Sequence, residues 1–333
     1  MFIKRVLLGS VASLVALSGA KAADAIVAAA PEPAEYVRVC DAFGTGYFYI
    51  PGTETCLKFS GEIRATVGFN KNSATDNYRW YDQVRTRLAI ETKTDSEVGA
   101  IGTYVQLQSI YNSGSNSDGF KARQAYISVG GFEAGRILGF VDNNGNWSET
   151  NSFFNTINDT TFTGASYTYH ATNAYAGLEV DDLTGTGGLM GTKTGSNQVG
   201  IEATAGFGGQ GPYQAWVIGA YDSFYHEGNV YAHGQADLGP NHLQLDGQWS
   251  SGYNSYETLY KWQVGGSYNY DVTSKLTLGP GATWFKPFND TNFWSIDAKA
   301  GYTLAKGLTA YGDVGYKTDD HSWYGYMRLL RKF

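Results

Sequence analysis

The C-terminal part of the chain, from Tyr260 to Phe333, alternates between apolar and polar residues with a period of two. In the first run, one set of alternate positions holds Trp262, Val264, Gly266, Tyr268 and Tyr270. The intervening positions hold Lys261, Gln263, Ser267, Asn269 and Asp271. Because successive side chains of a β-strand point to opposite faces, this period predicts strands with one apolar and one polar face.

The same alternation extends upstream, and the chain from Lys58 onward can be divided into sixteen strands. The predicted connections alternate between long and short; Gly139–Thr160 is the longest in the first half. Runs of about ten residues joined in this way are typical of a transmembrane β-barrel with short periplasmic turns and longer external loops. We therefore predict an all-β protein, a transmembrane antiparallel β-barrel of about 16 strands formed by residues 58–333.

Two segments fit this pattern poorly. In Phe120–Val129 and Phe132–Phe140 neither face is consistently apolar. One interpretation is a shift of register or a β-bulge. The other is a wall that faces a second subunit rather than lipid, where polar groups can be paired.

Composition narrows the class of protein. Of 333 residues, 15% are aromatic, 17% are charged and 43 are glycine. A helical membrane protein needs several runs of about twenty apolar residues, and the chain after residue 22 has none. A large soluble β-protein shares much of this composition, but it does not need aromatic residues at both ends of strand after strand.

Residues 1–22 have the pattern of a secretory signal peptide. Lys4 and Arg5 precede an apolar core, Val6–Ala20, and Ala20-Lys21-Ala22 resembles a cleavage site. Cleavage there removes three bases and no acid, so 24 − 3 = 21 bases remain against 31 acids, a balance of −10. No basic patch remains to neutralise phosphates, which argues against nucleic acid as a partner.

Residues 23–57 do not alternate and contain the only two cysteines, Cys40 and Cys56. In an exported chain, two cysteines predict a disulfide. In the chain-entropy model, closing a loop of this size stabilises a protein by roughly 3 kcal/mol. We expect residues 23–57 to be an N-terminal segment closed by this bond.

This N-terminal region also carries a family resemblance. Ala23–Val27, Tyr36–Ala42 and Gly46–Leu57 resemble the amino-terminal signature of the general porins of alphaproteobacteria, the outer-membrane family of Brucella and Rhizobium. The resemblance implies a trimeric, water-filled, sixteen-stranded porin whose third external loop folds into the lumen. The chain is somewhat short for that family, so some external loops must be trimmed.

If Gly139–Thr160 is that third loop, its three acids are candidates for one side of the pore constriction: Asp142, Glu149 and Asp159. The candidates for the basic side are Arg64, Arg85, Arg87, Arg328 and Arg123. Opposed rows of charge create a transverse field that sorts solutes by charge. In the alternative interpretation, each arginine simply pairs with a wall acid such as Glu62 or Glu91.

The predicted function is a general diffusion porin that passes small hydrophilic solutes and ions across the outer membrane. No catalytic motif, cofactor site or metal site is indicated. The predicted partners are outer-membrane lipid, lipopolysaccharide and two further copies of the chain in a homotrimer. One alternative is a solute-selective channel for sugars, lined by a row of tyrosines such as Tyr104, Tyr126, Tyr231, Tyr311, Tyr324 and Tyr326. The other is a structural or adhesive surface barrel plugged by residues 23–57.

Overall fold

The computed structural model describes residues 37–72, 74–113, 119–144, 161–184, 198–208, 211–289 and 291–333. The strands are β1 (Phe48–Tyr49), β2 (Cys56–Asn72), β3 (Asn77–Thr94), β4 (Ile101–Asn112), β5 (Lys121–Val129), β6 (Phe132–Leu138), β7 (Thr161–His170), β8 (Ala174–Asp182), β9 (Val199–Phe207), β10 (Tyr213–Asp222), β11 (Glu227–Leu238), β12 (Asn241–Ser250), β13 (Tyr260–Asp271), β14 (Leu276–Pro287), β15 (Phe293–Ala305), β16 (Leu308–Lys317) and β17 (Ser322–Lys332). A short helix, α1 (Phe140–Asn144), follows β6. Among the described residues, no helix has both the length and the hydropathy needed to cross a membrane.

Strands β2 to β17 form a closed antiparallel barrel of sixteen strands, which confirms the predicted fold. Each strand pairs with its neighbours in the chain, and β17 pairs with β2 to close the sheet. At the closing seam Met327 lies opposite Val67, and Leu329 lies opposite Ala65. Closure leaves no strand edge of the barrel unpaired, which is the condition for a sheet to stand in lipid.

The barrel is apolar outside and polar inside. In β13, Trp262 and Val264 are 40% and 48% exposed, whereas Gln263 between them is fully buried. The same arrangement, with apolar side chains exposed and polar side chains buried, recurs in β12, where Leu245 is exposed and Gln244 and Asp246 are buried. A soluble β-sandwich would bury the apolar face instead, so the alternation predicted from the sequence describes a lipid-facing exterior and a polar lumen.

The connections alternate in length around the barrel. Short turns such as 130–131, 239–240 and 306–307 lie at the end where β2 begins and β17 finishes. The first connection at the other end is only 73–76, because Asn72 pairs with Asn77 and the β2–β3 hairpin continues to that point. The Asn72 side-chain oxygen accepts a hydrogen bond from the amide of Ala74 at 2.9 Å, which closes the turn.

The poorly fitting segment at β5 contains a bulge. The register of β4 and β5 shifts between Gln106 and Leu107. Consequently Arg123 and Gln124, which are consecutive in the chain, are both buried, at 9% and 6% exposure. An extra residue on one strand breaks the alternation locally, so the bulge interpretation is correct for β5. The subunit-contact interpretation remains a prediction.

The N-terminal segment joins the barrel at the seam. Cys40 and Cys56 form the predicted disulfide, with a Cα–Cα distance of 6.0 Å. Strand β1 pairs with the start of β2, where Tyr49 lies opposite Cys56. Tyr47 is 4% exposed, packs beside the disulfide and lies 5.2 Å from the ammonium of Lys58. The predicted signal peptide and residues 23–36 lie outside the described residues.

Candidate functional site

Four of the five predicted arginines lie on the lumenal face of three neighbouring strands. Arg328 is on β17, Arg64 is on β2, and Arg85 and Arg87 are on β3. Arg64 lies directly opposite Arg85, and Arg328 lies opposite Thr66. We call these four residues the basic wall, because consecutive pairing of β17, β2 and β3 places their guanidinium groups in one row.

The basic wall is held by polar partners on the same face. Glu62 forms a salt bridge with Arg85 and lies 3.9 Å from Arg87. Arg64 donates to Gln83 Oε1 at 3.2 Å, Arg87 donates to Gln108 Oε1 at 2.6 Å, and Arg328 donates to Thr66 Oγ1 at 3.0 Å. The alternative of pairing with a wall acid therefore holds for Arg85 and Arg87 through Glu62. Their side chains remain 15% and 18% exposed, so lumenal water reaches them.

The third external connection begins inside the barrel. Phe140 and Val141 of α1 are 2% and 6% exposed, and they pack on Trp216, Ile218 and Tyr231 of β10 and β11. Strand β10 is eight strands from β2 in the closed sheet of sixteen, so α1 contacts the side opposite the basic wall. Glu149 and Asp159 lie outside the described residues, and the inward folding of the rest of the connection remains a prediction.

Asp142 and Arg123 were predicted on opposite sides of the constriction, but they form an ion pair with each other. Arg123 Nη2 lies 2.6 Å from Asp142 Oδ2, and both side chains are 8% exposed. The reason is local: the β5 bulge turns Arg123 inward, and α1 directly follows β6, the neighbour of β5. The pair anchors α1 to the wall at β5.

Three acids that sequence reasoning did not select meet on the lumenal side of β8 and β9. Glu179, Asp181 and Glu202, here called the acidic cluster, are each 1% exposed. One carboxylate oxygen from each lies within 4.8 Å of the other two. Glu202 Oε2 accepts a hydrogen bond from the amide of Phe140 at 3.1 Å, and Asp181 Oδ2 accepts one from the Tyr256 hydroxyl at 2.7 Å. The alternation in β8 and β9 marks all three positions as inward, but only the register shows that they meet.

The connection 251–259 between β12 and β13 also folds inward. Asn254, Ser255, Tyr256 and Glu257 are all at most 5% exposed. The Ser255 amide donates to Asp222 Oδ2 at 2.9 Å. The Tyr256 ring lies 5.2 Å from that of Phe162, and the residue packs with Leu183 and Ala220.

Burial of this connection affects its titrating groups. Burial raises the pKa of the Glu257 carboxyl above its ordinary value, although the amides of Leu259 and Tyr260 donate to it at 2.8 and 3.0 Å. Burial also raises the pKa of the Tyr256 hydroxyl, and the neighbouring Asp181 carboxylate adds to the effect. Both groups therefore favour their neutral forms in this covered position.

The lumenal tyrosines form separate groups rather than one row. Tyr104 and Tyr126 stack with ring centroids 5.3 Å apart. Tyr324 and Tyr326 line a pocket with Tyr81 and Arg328. Tyr104 lies opposite Glu91, ten positions from Tyr81 along β3, which corresponds to about 33 Å of strand. The charged basic wall occupies the space between these groups, so a continuous aromatic slide is not formed by them.

Comparisons with known proteins agree with this architecture. The family described as "Porin subfamily" matches residues 24–329. Outer membrane protein IIIA of Rhizobium leguminosarum bv. viciae is 36% identical, with 95% of this chain and 90% of that protein covered. Porin Omp2b of Brucella suis biovar 1 (strain 1330) is 33% identical over the full length of both chains.

Solved structures share the fold at low identity. The anion-selective porin from Comamonas acidovorans superposes with a TM-score of 0.66 at 13% identity, covering 84% of this chain and all of that one. The outer membrane channel DcaP of Acinetobacter baumannii has a TM-score of 0.63 at 13% identity, covering 86% and 99%. With its closed barrel, polar lumen and family match over nearly the whole sequence, the chain belongs to the porin family.

Proposed function

We propose that this protein is a general diffusion porin of the outer membrane, through which small hydrophilic solutes and ions pass down their gradients. The observation that carries the proposal is the inverted barrel, with charged and amide side chains inside and apolar side chains outside. Such a lumen is wetted by water, and the exterior matches lipid. The names of the Rhizobium and Brucella relatives, an outer membrane protein and a porin, support this role. The role is transport without catalysis and requires no cofactor.

Ion preference is proposed to arise from the two sides of the lumen. The basic wall attracts anions, and the third connection, anchored through Asp142, supplies Glu149 and Asp159 as the acids that oppose it. Fixed charges at a constriction act on passing solutes because little bulk water screens them there. The anion-selective porin from Comamonas acidovorans shares this fold, but its preference is a property of that protein.

A homotrimer is proposed from the outer surface. On β3, β4 and β6 the outward positions include Asp82, Thr86, Ser109 and Arg136. The outward faces of β12 to β15 instead carry apolar residues such as Leu245, Val264 and Ile296. A cationic side chain facing lipid costs about 2–4 kcal/mol at the midplane, which favours a protein partner at β3–β6. We propose that this face contacts the neighbouring copies, and that the remainder contacts lipid and lipopolysaccharide.

The test is conductance of the purified, folded protein in a planar bilayer at two salt concentrations, with a salt gradient to read the reversal potential. Three equal steps that scale with bulk conductivity are expected from an open trimeric porin. Folded protein without conductance would contradict the proposal and favour a plugged barrel. Liposome swelling that depended on sugar identity, rather than on solute size, would favour the solute-selective alternative.

A further inference from the structure

The acidic cluster has an arrangement that bare carboxylates do not favour. Glu179 on β8 and Glu202 on β9 are directly opposite each other in the register, and Asp181 lies two positions along the same face of β8. Like charges directly opposite on neighbouring strands are destabilising. At 1% exposure, water does not screen these three groups.

The cluster also has unused acceptor atoms that point to a ligand. Among the described residues, Glu179 Oε1, Asp181 Oδ1 and Glu202 Oε1 are buried and have no hydrogen-bond partner. None of the ion pairs between described residues includes any of the three. A buried carboxylate oxygen without a partner carries a large desolvation cost. Either shared protons or a bound cation must offset this cost.

We propose that the acidic cluster binds a divalent cation of the calcium type. The available donors are all oxygen, the ligand type that hard cations prefer. Two oxygens that are each 2.3–2.6 Å from one Ca²⁺ ion can be at most about 5 Å apart, and the three cluster oxygens lie within 4.8 Å of one another. Mg²⁺ requires near-ideal octahedral geometry and usually retains several waters, which suits a site with 1% exposure less well.

The bound cation would connect elements that the chain brings from distant positions. Its ligands lie on β8 and β9, the amide of Phe140 in α1 bonds to Glu202, and the hydroxyl of Tyr256 in 251–259 bonds to Asp181. The ion therefore stabilises the docking of both inward segments on one wall. This inference goes beyond the proposed function, because conduction through the lumen requires no metal.

The test uses Tb³⁺ as a luminescent substitute for Ca²⁺, with excitation through the adjacent Tyr256. The folded full-length protein is treated with EGTA, freed of the chelator and titrated with Tb³⁺. Saturable emission that Ca²⁺ displaces is expected for the wild type. Glu179→Gln together with Glu202→Gln should weaken the binding that produces this emission at least about tenfold. Glu91→Gln, which removes an inward carboxylate of β3, five strands away from β8, should leave it unchanged.

Thermal unfolding supplies a second measurement that does not rely on luminescence. Millimolar Ca²⁺ should raise the Tm of the EGTA-treated wild type, and the double variant should show the same Tm with and without Ca²⁺. If the double variant does not fold, Glu179→Gln alone replaces it. Two results would overturn the metal site: Tb³⁺ emission that persists unchanged in the folded variant, or a wild-type protein whose Tm and emission do not respond to the ions. Shared protons would then remain as the explanation for the buried carboxylates. Conductance that persists under EGTA would leave the channel proposal intact.

Discussion

The two sides of the lumen carry charges of opposite sign in very different surroundings. On the basic wall, Arg85 and Arg87 remain 15% and 18% exposed and are held by polar partners such as Glu62 and Gln108. On the opposite side, Glu179 and Glu202 are 1% exposed beneath α1 and the connection 251–259. An inward strand position therefore does not by itself make a residue part of the pore lining. A charge that water can reach acts on passing ions, whereas a covered charge acts on the packing of the protein.

The largest expected effect comes from the ion pair that fastens α1 to the wall. Asp142→Asn removes the carboxylate that pairs with Arg123 Nη2, where both side chains are 8% exposed. Removing one partner of a buried pair typically costs about 3–5 kcal/mol. We expect a loss of this order in the free energy of unfolding, measured by urea denaturation of the folded barrel.

A control for this prediction is Asp76→Asn, which removes the exposed partner of Lys71. Solvent screens that pair, so little change is expected. Equal effects of the two substitutions would show that the anchoring of α1 does not depend on the buried pair.

The next largest effect on stability is expected in the connection 251–259, which covers the acidic cluster. Tyr256→Phe keeps the ring in its pocket but removes the hydroxyl that donates to Asp181. A buried acceptor left without its donor costs about 1–3 kcal/mol. Thermal unfolding should show the loss, and protease cleavage within 251–259 should become faster. Tyr253→Phe in the same connection removes a more exposed hydroxyl and should change neither measurement; if it did, the effect of Tyr256 could not be assigned to the cluster.

A smaller free-energy change, in the ion preference of the pore, distinguishes the exposed basic wall from the covered acidic cluster. The double variant Arg64→Gln and Arg85→Gln should shift the reversal potential in the direction that indicates greater cation selectivity. A unit charge at 4 Å contributes about 1 kcal/mol in water, so the permeability ratio should change by about fivefold or more. Glu179→Gln, which removes a covered charge, should leave the reversal potential unchanged. A shift as large as that of the arginine variant would mean that the cluster faces the conduction path.

The smallest effect is the pH dependence contributed by Glu257. Its pKa is raised in the folded protein by burial. As the pH rises above 4.5, the ordinary pKa of this carboxyl, the unfolded chain loses the Glu257 proton before the folded protein does. Stability therefore falls as the pH rises through that window, and the contribution is fully present below it. Glu257→Gln should flatten the change in Tm between pH 4 and pH 7, and an unchanged slope would assign it to other groups.

Some features of the pore side chains could be predicted and others could not. Arg64, Arg85, Arg87 and Arg328 were recognised as lumenal because each falls on the polar phase of a regular strand. Arg123 was assigned to the same side, but the β5 bulge and its proximity to α1 pair it with Asp142. The acidic cluster was missed because Glu179 and Glu202 are separated along the chain and meet only through the register of β8 and β9.

The barrel, its apolar exterior and polar interior, and the disulfide could all be predicted from local patterns in the sequence. These follow from local information: a period of two, turn residues at regular spacing, and two cysteines in a chain with a predicted export signal. Tertiary structure alone decided which inward charges meet and which are covered. That depends on the pairing of β8 with β9 and on the return of 251–259 to the lumenal wall. Neither leaves a local pattern, because such contacts join residues that are distant in the chain and are selected by packing and register together.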